Sequence, residues 1–494
     1  MKIVLMAILF VVTLQQKEKL IFLMTHFRHG ARAPSSLNNS YDFVKQKWNY
    51  SYELTGVGKR SHYLLGLRNR IKYINEKKFL SEKFDPNELI IYSSSKNRSI
   101  MSVSSQLQGL YPQTENLGEI LNEGQLKNSN PPININYSRI DNELKFLENN
   151  SLPYRMTIVP FQTEDPDIDI GLYEVNICKF KKGDNSTDIY FFVTDFNQNL
   201  GKPLNLLNER NSSYNYTFDE ITDFCSAYIS SYTDGRNLTK LENLGFNIEE
   251  TFNICNRAIF LKHRDRYIAN KDTIFVRGRG IMQLFVKYAK ERIDNDIKKT
   301  SNINPKMLII SGHDTSISFQ QLFLAYSLGL NISTDYKYPS FTSQMAFEIS
   351  TNDEEKENKT YSDYFINYYF NDDHIFNKTA EEFFNKIEPN IWSDEQIEEY
   401  CASTNSKSTN NNNSSDDSPI NTDVINSGNS HGYFYSKTDN NKKYKTGLIV
   451  LACLFGVSII FIIFLVYLLM RKNNSNYDNS NNILQSSVKD KNIL

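Results

Sequence analysis

The chain has 494 residues and a formal net charge of −2, with 55 basic against 57 acidic side chains. That balance excludes a nucleic-acid surface built on bulk positive charge, and the length allows one or two domains with a sizeable core. The 30 tyrosines and 32 phenylalanines, set among asparagine-rich stretches, indicate a globular, secreted-type protein with polar insertions rather than a disordered chain.

At the N-terminus, Lys2 precedes an apolar run at residues 3–14 and then polar Gln15-Gln16-Lys17-Glu18-Lys19. Twelve apolar residues are short for a bilayer span and suit a signal peptide over 1–16, cleaved around Thr13 to Gln16. The run Leu20-Ile21-Phe22-Leu23-Met24-Thr25 predicts a strand that leads directly into Arg28-His29-Gly30-x-Arg32-x-Pro34. A histidine between two arginines at a glycine turn suits covalent attack on a phosphate. The guanidinium groups neutralise the dianion, and the imidazole can take the phosphoryl group.

Apolar spacing of 3, 4 and 3 at Leu64, Leu67, Ile71 and Ile74 predicts an amphipathic helix, and Leu89-Ile90-Ile91-Tyr92 predicts a short strand. The same spacing at Ile100, Val103, Leu107 and Leu110 predicts a second helix. This alternation reads as an α/β core over 17–112 with a largely parallel central sheet flanked by helices. From 113 to 269 the pattern is irregular, with a strand-like Ile189-Tyr190-Phe191-Phe192-Val193, and reads as an inserted, mainly helical cap domain. The core resumes over 270–403. It predicts a helix through Ile281, Leu284, Phe285 and Tyr288, a strand Met307-Leu308-Ile309-Ile310 delivering His313-Asp314, and a helix over 317–328. Late helices are expected over 379–387 and 393–400, the second opened by a capping box of Ser393 and Gln396.

Residues 404–446, rich in Asn, Ser, Thr and Asp, predict a flexible stalk. Residues 447–470 carry no charge and are long enough for one transmembrane helix. Lys442, Lys443, Lys445, Arg471 and Lys472 flank both ends, so orientation follows from the signal peptide. The expectation is a single-pass type I membrane protein whose catalytic domain is lumenal or extracellular, in a lysosome-like organelle or at the cell surface, with residues 471–494 as a cytosolic tail. Sequons at Asn49, Asn136, Asn185, Asn215, Asn237 and Asn377 would then be open to glycosylation. Of the five cysteines, Cys453 lies in the span, and Cys178, Cys225, Cys255 and Cys401 form an even set with three possible pairings.

The motifs together resemble the histidine acid phosphatases, a branch of the histidine phosphatase superfamily. Arg28-His29-Gly30-x-Arg32-x-Pro34 resembles the first signature, and Met307 to Thr315, with its Ser311-Gly312-His313-Asp314, the second. Leu54-Thr55-x-x-Gly58 resembles the start of the helix after the first loop. Arg98-Ser99-Ile100-Met101-Ser102 resembles the segment that supplies a third phosphate-binding arginine. Tyr92, Ser95 and Asn97 stand where the family usually carries another arginine and two aspartates. The resemblance favours a Cys178–Cys401 disulfide, which leaves Cys225–Cys255 as a loop staple.

What the resemblance implies is a phosphomonoester hydrolase acting through a phosphohistidine on His29. Arg28, Arg32, Arg98 and His313 would hold the phosphoryl oxygens, and Asp314 would protonate the leaving oxygen. No cofactor or metal is called for, and the partners expected are small phosphomonoesters, the membrane and, by analogy with the family, a second copy as a homodimer. The alternatives are a narrower inositol polyphosphate or lysophosphatidate phosphatase, or a catalytically silent receptor or adhesion protein on the same fold. His26, His62, His263, His374 and His431 match no catalytic position and read as surface or packing residues.

Overall fold

The computed structural model describes residues 18–35, 48–113, 119–129, 131–133, 141–163, 187–267, 271–300, 305–331, 338–352 and 356–409. The expected signal peptide, the span at 447–470, most of the stalk and Cys178 lie outside the described residues. Among those described, no helix is long and apolar enough to cross a membrane.

The core is one seven-stranded sheet in the order β3-β2-β4-β1-β5-β6-β7. Its strands are β1 (Lys19–Arg28), β2 (Leu89–Ser93), β3 (Gln162–Thr163), β4 (Met307–Gly312), β5 (Gln344–Thr351), β6 (Tyr364–Phe370) and β7 (Asp373–Thr379). Strand β1 is buried at every position but Lys19, because apolar layers cover both faces of the sheet. The pairings β3-β2, β2-β4 and β4-β1 are parallel. The pairings β1-β5, β5-β6 and β6-β7 are antiparallel. The sheet is therefore mixed and not largely parallel: only its first half is built from crossovers. The last three strands form a meander, turned between β6 and β7 by Asn371 and Asp372, both in the left-handed region at φ 48° and 71°. Asn and Asp tolerate that conformation, which a two-residue hairpin demands.

Parallel strands β1 and β4 run side by side, with Arg28 in register with Gly312. Both motifs therefore leave the sheet at the same carboxyl edge, where open α/β sheets bind ligands. Helix α1 (Gly56–Asn69) follows β1 and packs against α2 (Asn97–Leu110), which follows β2. The buried positions of α1 are Gly58, His62, Gly66 and Asn69, whereas Leu64 and Ile71 are exposed. Of the face expected from Leu64, Leu67, Ile71 and Ile74, only Ile74, beyond the end of α1, is fully buried. Close backbone approach at Gly66 and Gly109 joins the two helices, which leaves no room for large apolar side chains between them.

The helices α3 (Thr187–Phe196), α4 (Phe218–Thr233) and α5 (Ile248–Tyr267) surround an apolar core of their own. Residues 189–193 are part of α3 and not a strand. Ile189, Phe192 and Phe196 repeat at helical spacing and are buried, while Tyr190 and Phe191 are 68% and 64% exposed. Cys225 and Cys255 are buried in this core on α4 and α5 as free thiols, so the loop staple is not formed. Burial, with Cys225 alongside, pushes the Cys255 thiol up. Cys401 is disulfide-bonded.

Helix α6 (Lys271–Ile297) covers β1, and α7 (Asp314–Leu328) leaves β4. Helix α8 (Ala380–Ile387) closes the same face. Helix α9 (Asp394–Thr409) begins at the expected box, in which Gln396 N–H donates to Ser393 Oγ at 3.3 Å and Ser393 N–H to Gln396 Oε1 at 2.8 Å. It runs six residues into the segment expected to be stalk, 404–409.

Candidate active site

His29 sits where β1 ends, 2% exposed, its backbone N–H donating to Gly312 O at 3.0 Å. Its Nδ1 lies 2.9 Å from Gly30 O. A carbonyl only accepts, so Nδ1 carries the proton and Nε2 keeps the lone pair. Burial, then the charges of Arg98, Arg28, His313 and Arg32, hold its pKa well below the usual imidazole range. His29 therefore stays neutral and nucleophilic in acid.

The turn is set by contact between backbones. A Cβ on Gly30 would lie 2.6 Å from Gly58 O, so only glycine lets the loop cross the start of α1. Thr55 caps α1, accepting from Gly58 N at 3.1 Å and donating to Ala31 O at 3.2 Å. Gly30 N donates to Ser102 Oγ at 3.1 Å, and Ser102 Oγ donates to Arg98 O at 2.6 Å, which ties the histidine loop to the arginine helix.

Three guanidinium groups surround the imidazole. Arg28 pairs with Asp314 Oδ2 at 2.8 Å, donates to Pro339 O at 2.8 Å and stacks over Phe341 at 4.3 Å. Arg32 donates to Ala33 O at 2.8 Å, and both Arg32 and Arg98 face the Tyr52 ring, at 5.2 and 5.5 Å. Burial and the neighbouring Arg98 and Arg28 push Arg32 down to about 10, outweighing the opposing pull of Asp314.

The His313 ring centroid lies 5.4 Å from that of His29. Arg98 Nη2 donates to His313 Nδ1 at 3.3 Å, so the proton sits on Nε2, 2.8 Å from Ser94 Oγ. His313 was expected to be a fourth donor to phosphate. In this geometry both ring nitrogens are engaged, and it orients Arg98; it would reach an anion only by releasing Ser94.

Asp314 opens α7, and its Oδ1 accepts from Thr315 N at 3.0 Å. Burial pushes the carboxyl up, but Arg28, His263, His313 and Arg32 outweigh it and hold the group well below the usual carboxylate range.

All six residues expected at the site meet here. The sequence reading missed two kinds of participant. His263, read as a surface or packing residue, reaches in from α5 with Nε2 3.7 Å from Asp314 Oδ2 and its ring edge-on to Tyr338 at 5.3 Å. Tyr338 itself donates to Asp314 Oδ2 at 3.3 Å. His26 is fully buried one layer below. Its Nδ1 donates to Gln320 Oε1 at 2.7 Å and its Nε2 meets Ser316 Oγ at 3.0 Å, the hydroxyl that also accepts from His313 N–H at 3.0 Å. None of these has a local signal, because each lies far in sequence from the residue it serves. His62, packed against Phe27, and the exposed His374 remain packing and surface residues; His431 lies outside the described residues.

This arrangement agrees with a comparison of the sequence with known families. The histidine phosphatase superfamily (branch 2) matches over residues 19–371. The chain belongs to that family. Among curated relatives, it is 34% identical over 102 residues to the lysosomal acid phosphatase of Xenopus laevis, a stretch covering 20% of this chain and 23% of that one. It is 31% identical over 96 residues to the human (Homo sapiens) prostatic acid phosphatase, covering 19% and 24%. The matched stretches thus span about a quarter of the relatives' length. Among solved structures, the apo phytase of Hafnia alvei aligns over 76% of this chain and 97% of that one, at 12% identity and a TM-score of 0.48.

Proposed function

We propose that this family member is an acid phosphatase hydrolysing phosphate monoesters through a phosphohistidine intermediate. The observation that carries the reading is the His29 ring, held as the Nδ1–H tautomer, neutral, and surrounded by Arg28, Arg32 and Arg98. Nε2 attacks phosphorus while the bond to the leaving oxygen breaks, and the three arginines take up the charge spread over the phosphoryl oxygens. Asp314 gives a proton to the leaving oxygen, and water then hydrolyses the N–P bond. Arg28 pairs with Asp314. A bound dianion would draw Arg28 and Arg32 to itself and so raise the carboxyl towards the range in which it can hold that proton.

The support for membrane anchoring is the sequence at 3–14 and 447–470, and we carry the type I topology with a lumenal or extracellular catalytic domain as part of the proposal. The test of the activity is hydrolysis of p-nitrophenyl phosphate by the detergent-solubilised full chain across the acid-to-neutral range. An acid optimum supports the reading, and a folded protein that hydrolyses neither aryl nor alkyl phosphates overturns it. Asp314→Asn is expected to slow alkyl phosphates by about 10²-fold or more and aryl esters much less, because a nitrophenolate departs without a proton. Equal losses on both esters would remove Asp314 from the proton-donor role.

A further inference from the structure

Asp314 faces a proton-supply problem. The cations beside it hold it ionised, yet every alkoxide that leaves requires a proton. A carboxylate kept so far down carries few protons of its own at mildly acid pH. The imidazole beside it is that of His263, whose Nε2 is 3.7 Å from Asp314 Oδ2, and imidazole is the side chain whose ordinary range spans mildly acid pH.

We propose that His263 is the proton reserve of the reaction, a positioning residue that acts through Asp314. This rests on the phosphatase reading above. The imidazolium holds a proton against Oδ2. As the P–O bond breaks, the His263 proton passes to Asp314 and from it to the departing oxygen, leaving Asp314 ionised and His263 neutral. In the second half-reaction water attacks the phosphohistidine, its hydroxyl goes to phosphorus, its proton goes to Asp314, and from there a proton returns to Nε2. The balance closes with one alcohol and one phosphate released and the pair restored.

The geometry suits this role. Among the described residues, those facing His263 include Asp314 from the start of α7 and Tyr338 ahead of β5, with Arg28 from β1 on the far side of the same carboxylate. Tyr338 stacks edge-on against the imidazole and donates to the same Oδ2, so one side chain aligns both partners. The separation exceeds a hydrogen bond by less than about 1 Å, and such catalytic contacts tighten once substrate is bound. Arg28 would turn towards the phosphate, freeing Oδ2 to close on Nε2. Because His263 belongs to α5, the reserve is built by the inserted helical layer and not by the sheet.

The experiment compares wild type with His263→Phe and His263→Gln on p-nitrophenyl phosphate and on glycerol 2-phosphate. His263→Phe keeps a ring against Tyr338 but carries no proton. His263→Gln can donate a hydrogen bond to the carboxylate but cannot ionise. Both are expected to lose about 10-fold or more in kcat on the alkyl ester and to stay within about 3-fold on the aryl ester, with KM for both little changed. Added imidazole should restore part of the alkyl-ester rate of a His263→Ala variant. The inference is overturned if His263→Phe retains wild-type kcat on glycerol 2-phosphate, or if both esters slow equally, which a merely structural role would give. Failure of wild type on both esters would instead sink the phosphatase reading along with it.

Discussion

His29→Ala is expected to lower kcat for p-nitrophenyl phosphate by roughly 10⁴-fold or more while the protein stays folded and still binds inorganic phosphate. On the proposed mechanism the side chain supplies the atom that bonds to phosphorus, and the two other histidines near it are otherwise engaged. His313 is engaged at both ring nitrogens and His26 is walled off behind Gly312, whose missing Cβ would lie 2.7 Å from His26 Nε2. The fold should survive because the His29 backbone N–H still donates to Gly312 O, and the ring's Nδ1–H is bonded only to the adjoining Gly30 O. Arg28, Arg32 and Arg98 remain, so affinity for phosphate as an inhibitor should change by no more than several-fold. Rapid quenching of wild type with labelled substrate should trap an acid-labile, alkali-stable label that is absent from the variant. A variant that kept turnover within about 10-fold of wild type would reassign the nucleophile.

Much of this site could be read in the chain because its two main pieces are local. Arg28-His29-Gly30 and His313-Asp314 each follow an apolar strand directly, and parallel strands carry whatever follows them to the same edge. Thr55 and Gly58 were also readable, since capping and close backbone approach restrict residue type at single positions. What could not be read is assembled from distance. His263, Tyr338 and Ser94 reach their partners from 51, 24 and 219 positions away, and a lone histidine on a helix has no periodic signature. The packing face of α1 was misread because it is lined by Gly58, His62, Gly66 and Asn69, so the hydrophobic period followed Leu64 and Ile71 on the exposed side. The antiparallel half of the sheet escaped because β5, buried along its whole length, shows no alternation; the Asn371-Asp372 turn was its one clear marker. Residues 189–193 carry strand-forming side chains, and helical packing of Ile189, Phe192 and Phe196 overrode that preference.

Acid should destabilise the protein, and the buried histidines set the size of the effect. Burial pushes His26 and His62 down to about 4, and His29 and His313 also lie well below the usual 6.5. In the unfolded chain each imidazole binds a proton as pH falls through about 6.5; in the folded protein none does until its lower value is reached. Between those limits the unfolded state holds more protons, so stability rises with pH and is lost as pH drops from about 6.5 towards 4. Each group costs about 1.4 kcal/mol per pH unit in that window. His26 and His62 alone then remove on the order of 6 kcal/mol in all, a large share of a typical folding free energy. Asp314, Asp296 and Glu348 do not offset this. Their carboxyls are held low, so the stability they contribute is already complete above about pH 4 and is lost only below it. Urea unfolding at a series of pH values is expected to show this fall, and His26→Asn, which cannot titrate, should flatten the slope by about one group's worth. A flat profile in wild type would mean that these imidazoles are solvated or paired in their charged form. Phosphate binds only the folded site and should shift the whole profile upward by mass action. If so, the protein would be most robust in acid with phosphate bound, because a dianion compensates the clustered positive charge of Arg28, Arg32 and Arg98.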